Sequence, residues 1–427
     1  MTVASNEHYS PWQPCNAKDW KRIQLKHPFS IKLGKMLQNS PESTLDQEVP
    51  YLKAQHVQWD EVRLADLPTM WASPSDIHEL SVKKGDLLVC EGGEVGRAAM
   101  VDEVPPRQTI IQNALHLVRA NHGGDPRFLK YLLCHASSQN WFEVLCNKST
   151  ITHFTADKFG GMWVWLPESQ RQNSIADFLD RETAQLDALI AAKERILVLL
   201  EEKRRALITR AVTRGIDSKV PMRDSGVPWL GEIPAHWATE RSRWLFFPID
   251  KRSETGEEEL LTVSHLTGVT ARSEKEVYMF EANSREGYKI CQKGDLVINT
   301  LWAWMGAMGI SPIAGIVSPD YHVYRPRKML VSDYVDLIVR LNIFAQEVIR
   351  YSKGIWSSRL RLYPENFFEI TFPVPPVEEQ IKIVEHISSE TEEIQILHDA
   401  TRNTIALLKE RRSALISAAV TGKLKVD

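Results

Sequence analysis

The chain of 427 residues lacks most of the features that announce a function. Its five cysteines, Cys15, Cys90, Cys134, Cys146 and Cys291, are odd in number and form no Cys-x-x-Cys pair, which argues against a disulfide framework and a cysteine zinc site. No apolar run approaches the length that spans a bilayer, and the opening MTVASNEHYSPW has neither the basic nor the apolar region of a signal peptide. A cytoplasmic location without membrane contact is therefore expected. Charge of one sign is not in excess either: the net charge is −3, whereas an indiscriminate polyanion binder usually has a large basic surplus. Any nucleic-acid surface must then be a local patch. The phosphate-cradling Gly-x-x-x-x-Gly-Lys-Ser/Thr is missing, as is the Asn-Pro-Pro-aromatic motif of amino-methyltransferases. Pro319-Asp320 has no Glu-x-Lys after it, and Glu201-x-Lys203 lies in a helical charge run that solvent explains. The histidines show no metal spacing; His56 in YLKAQHV and His265 in LLTVSHL hold equivalent places, for which a structural role is the better reading. The chain is expected to bind rather than to catalyse, with no metal or cofactor of its own.

What the chain does have is a repeat. Shifted by 208 positions, residues 199–213 match 407–421 at 10 of 15 places, Leu199, Leu200, Glu202, Arg204, Ala206, Leu207, Ile208, Ala211, Val212 and Thr213 all recurring. Upstream, Gln172, Ile175, Glu182, Thr183, Leu189 and Ala192 recur as Gln380, Ile383, Glu390, Thr391, Leu397 and Ala400 at the same offset. Fainter echoes extend the pattern: KKGDLLV at 83–89 and QKGDLVI at 292–298, HLVRA at 116–120 and HVYRP at 322–326. Each copy opens on tryptophans, in SPWQPCNAKDW and VPWLGEIPAHW. The chain reads as a tandem duplication, each copy a mixed α/β domain of about 160 residues followed by a helix of about 45 to 50.

The helices are the clearest elements. Steps of three and four mark an apolar seam at Leu179, Leu186, Ile190, Leu197, Leu200, Arg204 and Leu207, and in the copy at Ile387, Ile394, Ile405, Leu408, Arg412 and Leu415. Prolines precede both helices, and acidic starts with a basic first ending suit the helix macrodipole. A helix of this length extends roughly 70 Å, far more than a globular core needs. The natural partner of each is its own copy, packed antiparallel about a pseudo-twofold axis. If that axis passes between Lys193 and Thr401, Arg204 meets Glu390 and Arg412 meets Glu182.

Pro375, Pro376, Glu378, Glu379 and Gln380 form Pro-Pro-x-Glu-Glu-Gln, matched in the first copy, LPESQRQ, only by Pro167 and Gln172. With the endings EKRRALITRAVTRG and ERRSALISAAVTGK and the segment GVPWLGEIPAHW, this resembles the specificity subunit of type I restriction–modification systems over essentially the whole chain. The resemblance implies target-recognition domains at 1–166 and 235–374, long conserved helices at 167–215 and 375–427, and a linker at 216–234. It further implies a subunit that is not itself an enzyme but binds double-stranded DNA with two modification and two restriction subunits. S-adenosylmethionine, ATP and magnesium are then expected in those partners. Because the two domains differ, the expected target is asymmetric and bipartite, its gap set by the helix pair.

Base readout needs side chains that donate and accept, together with phosphate anchors. The richest candidates are Lys148, Ser149, Thr150, Thr152, His153 and Lys158 in the first half, and Lys353, Trp356, Ser357, Arg359 and Arg361 in the second. Arg325, Arg327 and Lys328 add a basic cluster. The seam residues named above serve pairing and partner docking. A scaffold that bridges two copies of a partner without touching DNA remains the alternative.

Overall fold

The KKGD and QKGD tetrapeptides fold into the same turn. In the computed structural model, which describes residues 19–105, 107–145, 154–274, 284–354 and 360–426, Gly85 and Gly294 take φ of +90° and +91°, a region that L side chains rarely adopt. The aspartate that follows closes the turn on itself: Asp86 Oδ2 accepts from Lys83 N at 2.7 Å, and Asp295 Oδ2 from Gln292 N at 2.9 Å. Each carboxylate is buried, and each takes both arms of an arginine from a neighbouring strand. Arg119 Nε and Nη2 reach Asp86 at 2.7 Å, and Arg325 Nε and Nη2 reach Asp295 at 2.8 and 2.9 Å. A buried carboxylate satisfied in this way holds turn and strand at one register.

That register organises two sheets of identical connectivity. In the first half, β1 (Phe29–Leu33), β2 (Leu87–Cys90), β3 (Ala98–Met100) and β4 (Leu115–Ala120) form a four-stranded sheet in the order β1-β4-β2-β3. In the second, β5 (Phe246–Ile249), β6 (Leu296–Asn299), β7 (Met308–Ile310) and β8 (Tyr321–Pro326) repeat it as β5-β8-β6-β7. An antiparallel pair closes each domain where the chain enters and leaves it, Lys21–Gln24 with Trp163–Leu166 and Ala238–Arg241 with Thr371–Val374. The halves differ in their outlying strands. The first has a three-stranded sheet with parallel pairing of Tyr51 to Ile110; the second has two separate antiparallel pairs. The fold class is thus mixed α/β with tandemly repeated domains, and among the described residues no helix is long and apolar enough to cross a membrane.

The chain forms two compact units that cut across the repeat. One comprises Met1–Glu194 with Asn403–Asp427, the other Arg195–Arg402. Within them lie α1 (Pro126–Ser138), the long α2 (Ser169–Arg214), α3 (Ser332–Val339) and the long α4 (Val377–Val420). Each unit is therefore a domain, the first part of its own helix and the last part of the other helix. The cores say the same: Ile175 and Leu179 share one with Ile416, Ala419 and Val420, and Ile383 and Ile387 share the other with Ala211 and Val212.

Two contacts fasten helices to domains, and both occur twice. Gln172, buried at the start of α2, accepts from Asp125 N at 3.0 Å and donates to Gly123 O and Pro167 O at 3.1 and 2.8 Å. Gln380 accepts from Val331 N at 2.8 Å and donates to Met329 O and Pro375 O, both at 2.9 Å. One amide thus satisfies three backbone groups that burial takes away from water. At the other ends, Gly422 turns at φ +68° against the indole of Trp20, and Gly215 at φ +74° against that of Trp237; a Cβ at either glycine would stand 3.3 Å from the ring.

Replacing Gln380 by Ala strands one N–H and two carbonyls. The expected cost is about 2 to 4 kcal/mol, read as a lower urea midpoint with an unchanged slope.

Candidate DNA-recognition loops and docking helices

The candidate readers do not share one environment. Lys148, Ser149, Thr150, Thr152 and His153, like Trp356, Ser357 and Arg359, lie outside the described residues. Lys158 is exposed on the short helix Ala156–Gly161. Lys353 and Arg361 face each other across a two-way backbone bridge of 3.0 and 2.9 Å, and both are exposed. The basic cluster divides: Arg325 is held by Asp295, Arg327 lies over the ring of Phe247 at 3.8 Å, and Lys328 is exposed. Arg325 thus does in the second half what Arg119 does in the first.

The ends of these loops are fixed. In the first unit the β2–β3 connection meets the returning loop at Phe154, whose N donates to Glu91 O at 3.0 Å and whose carbonyl accepts from His116 Nε2 at 2.7 Å. Burial pushes the His116 imidazole below its usual value, which keeps the ring neutral with the Nε2 proton on Phe154. In the second unit the β6–β7 connection adjoins the other loop through Leu362 N and Thr300 O at 3.4 Å. His56 is buried and accepts from Lys53 N at 3.1 Å, whereas His265 is exposed in a hairpin turn, so the two are not equivalent.

Along the helices, Leu179, Ile190, Ile387, Ile394 and Ile405 are buried, and Leu186, Leu197, Leu200, Leu207, Leu408 and Leu415 are partly so. Arg204 is exposed and Arg412 is not. In the first unit Arg412 Nη2 lies 2.5 Å from Asp60 and its Nε 2.9 Å from Asp187, while Lys130 Nζ reaches Asp60 at 3.0 Å. Burial alone would raise the Asp60 carboxyl, but Lys130 and Arg412 outweigh it and hold it below the usual carboxylate range. The pairing of Arg412 with Glu182 is thereby corrected: Asp187 stands opposite Arg412, and Glu182 pairs with its neighbour Arg181 at 3.2 Å. The register follows the seat of the helix end on Trp20 and the carboxylate of Asp60 rather than an assumed midpoint. Among the described residues no ion pair joins Arg204 to Glu390. The counterpart of Asp187 is the neutral Gln395, whose amide donates to Asp399 at 3.1 Å.

Residues 17–201 match the family model of the type I restriction modification DNA specificity domain. Over those residues the chain is similar to a type I DNA specificity domain. Solved structures of the same fold extend the likeness to nearly the whole chain. A protein from a study of complex assembly and conformational transition of the type I R-M system is 14% identical, over 97% of this chain and 100% of that one, with a TM-score of 0.67. The HsdS subunit from Thermoanaerobacter tengcongensis is 15% identical, over 97% and 99%, with a TM-score of 0.55. At this identity the likeness is one of fold. The second domain, with the same strand order, the same aspartate–arginine pair and the same glutamine, repeats the framework of the first.

One set of repeated leucines lies off the seam. Leu189 and Leu397 recur at the repeat offset, as do Leu199 and Leu407, yet they are 44%, 54%, 49% and 65% exposed. Neither core accounts for a leucine kept at these places. The legible signal was identity between the copies at positions off the heptad seam.

The corrected register has a measurable consequence. A double-mutant cycle on Arg412 and Asp187 should give a coupling of about 0.5 to 1.5 kcal/mol, and the cycle on Arg412 and Glu182 about zero.

Proposed function

We propose that this chain is the specificity subunit of a type I restriction–modification complex. It binds an asymmetric, bipartite DNA target, one half-site per specificity domain, and carries the modification and restriction subunits. The observation that carries the reading is the combination of a specificity-domain family match with a second domain that keeps the framework and changes the loops. The repeated framework comprises the Asp86–Arg119 and Asp295–Arg325 pairs and Gln172 with Gln380. The loops between β2 and β3 and between β6 and β7 are EGGEVGR and TLWAWMGA, which share only the glycine two residues before the second strand, Gly96 and Gly306. Two related scaffolds with unlike loops suit two unlike half-sites.

The near-neutral charge fits a reader that shares phosphate neutralisation with its partners. Two modification subunits dock on the helices through the repeated leucines, Leu189 with Leu407 in one unit and Leu397 with Leu199 in the other. Methyl transfer from S-adenosylmethionine, and ATP- and magnesium-dependent translocation and cleavage, belong to the modification and restriction partners. The long helices set the gap between the half-sites.

Exchange of residues 1–166 for the corresponding domain of a relative tests the reading. Sequencing of methylated adenines in cells carrying the full complex should show one half of the target changed and the other kept. A methylated sequence that does not change would return the protein to the class of scaffolds without DNA contact.

Replacing Leu199 and Leu407 together by Asp should weaken assembly with the modification subunit about a hundredfold or more, measured by titration calorimetry. The unfolding midpoint of the isolated subunit should stay within a degree or two, because both side chains face water.

A further inference from the structure

The connection between β6 and β7, residues 300–307, turns apolar side chains outward where a loop is ordinarily polar. Trp302 is 50% exposed, and Leu301 and Met305 are each 37% exposed. The rings of Trp302 and Trp304 are stacked, with centroids 6.2 Å apart and planes at 24°. Looseness does not explain this exposure. Met305 N donates to Trp302 O at 3.0 Å, Gly306 N to Ala303 O at 2.8 Å and Ala307 N to Trp302 O at 3.1 Å. Ala303 is fully buried beneath the turn, and Gly306 closes it at φ +88°. Large apolar groups fixed in water do not help this domain fold, so their positions are explained by what they meet.

We infer that this turn reads the apolar edges of bases, namely the 5-methyl groups of thymine in the half-site bound by the second specificity domain. The inference rests on the DNA-reading function proposed above. The turn is continuous with the second candidate loop through Leu362 N and Thr300 O, and the exposed cations Lys353 and Arg361 on that loop suit flanking phosphates. Two of its polar side-chain groups are already committed: the Trp304 indole N–H donates to Leu301 O at 3.0 Å, and the Thr300 hydroxyl to Asp320 O at 2.5 Å. The turn therefore offers mainly apolar contact. On duplex DNA the thymine methyl is the apolar group that a base pair displays in the major groove. The matching loop of the first domain, EGGEVGR at 91–97, has no aromatic residue, so the device serves one half-site only.

The test uses the full chain assembled with its modification subunits, on duplexes carrying the target mapped from methylated adenines. Thymines of the second half-site are replaced singly by deoxyuridine, which removes the methyl and keeps the pairing. The unaltered complex should lose about fourfold in affinity at each contacted thymine. The double variant Trp302→Ala with Trp304→Ala should bind the unmodified target about tenfold or more weakly, and bind thymine and deoxyuridine duplexes alike. Its unfolding midpoint should match that of the parent, and Trp302→Phe should retain discrimination. Indifference of the parent to deoxyuridine, a half-site without thymine, or discrimination that survives in the double variant overturns the inference. So does a rise in 2-aminopurine fluorescence without methyl dependence, which signals insertion between base pairs. Failure of the underlying function shows separately, as equal binding of target and scrambled duplexes by the parent.

Discussion

The indole of Trp20 rests on Gly422, and that of Trp237 rests on Gly215. Each tryptophan opens a domain, and each glycine ends the long helix that belongs to the other copy. The consequence is topological. Neither domain is complete within its own half of the sequence, because the core beneath β1 to β4 needs Ile416, Ala419 and Val420, and the core beneath β5 to β8 needs Ala211 and Val212. The glutamines fasten the opposite ends of the same helices by bonds to the loops that precede α1 and α3. A helix held at its start by one domain and seated at its finish in the other unit can change only where neither grip reads it. The most faithful stretch of the repeat, 199–213 with 407–421, includes the part that enters a core.

Much of this was legible from the residues. The heptad seam gave the helices because a period of 3.5 residues leaves few other ways to bury leucine. The Gly-Asp echoes marked the shared turn because Gly85 and Gly294 need a positive φ, and their aspartates need a buried partner. Gln172 and Gln380 could be seen to recur, but not why, since their three acceptors and donors come from loops about fifty residues upstream and from the proline at the helix entry. Partner choice across space was the part that sequence periodicity could not supply. Arg412 illustrates it: the heptad placed it on the seam, yet its carboxylates are Asp60, from a turn in the domain, and Asp187, rather than the Glu182 that an assumed axis selects.

The same limit applies to basic residues near a candidate loop. Arg325 belongs to a cluster that composition alone marks as a phosphate anchor. Its two hydrogen bonds to Asp295 and the matched pair of Arg119 with Asp86 place it in the framework instead. A residue whose geometry is copied in both domains belongs to what they share. On the function proposed for the chain, readout comes from what the copies do not share.

That divergence reaches beyond the loops to the sign of charge. In the first unit α1 presents Arg127 to Asp177 and Asp180 of α2 at 2.6 and 3.0 Å, and Lys130 to Asp60. Aligned by the glutamine contacts, the counterparts of Arg127 and Lys130 in α3 are Asp333 and Asp336. Asp336 caps Ile310 N at 2.8 Å, and burial raises its carboxyl above the usual value. Ile310 ends β7, the strand that leaves the tryptophan turn. In the second domain the acidic helix thus supports the strand next to the turn, whereas in the first the basic helix is bonded to the long helix. Two domains with one strand order have distributed their polar contacts differently, and in the second that distribution braces the element on which its aromatic surface is mounted.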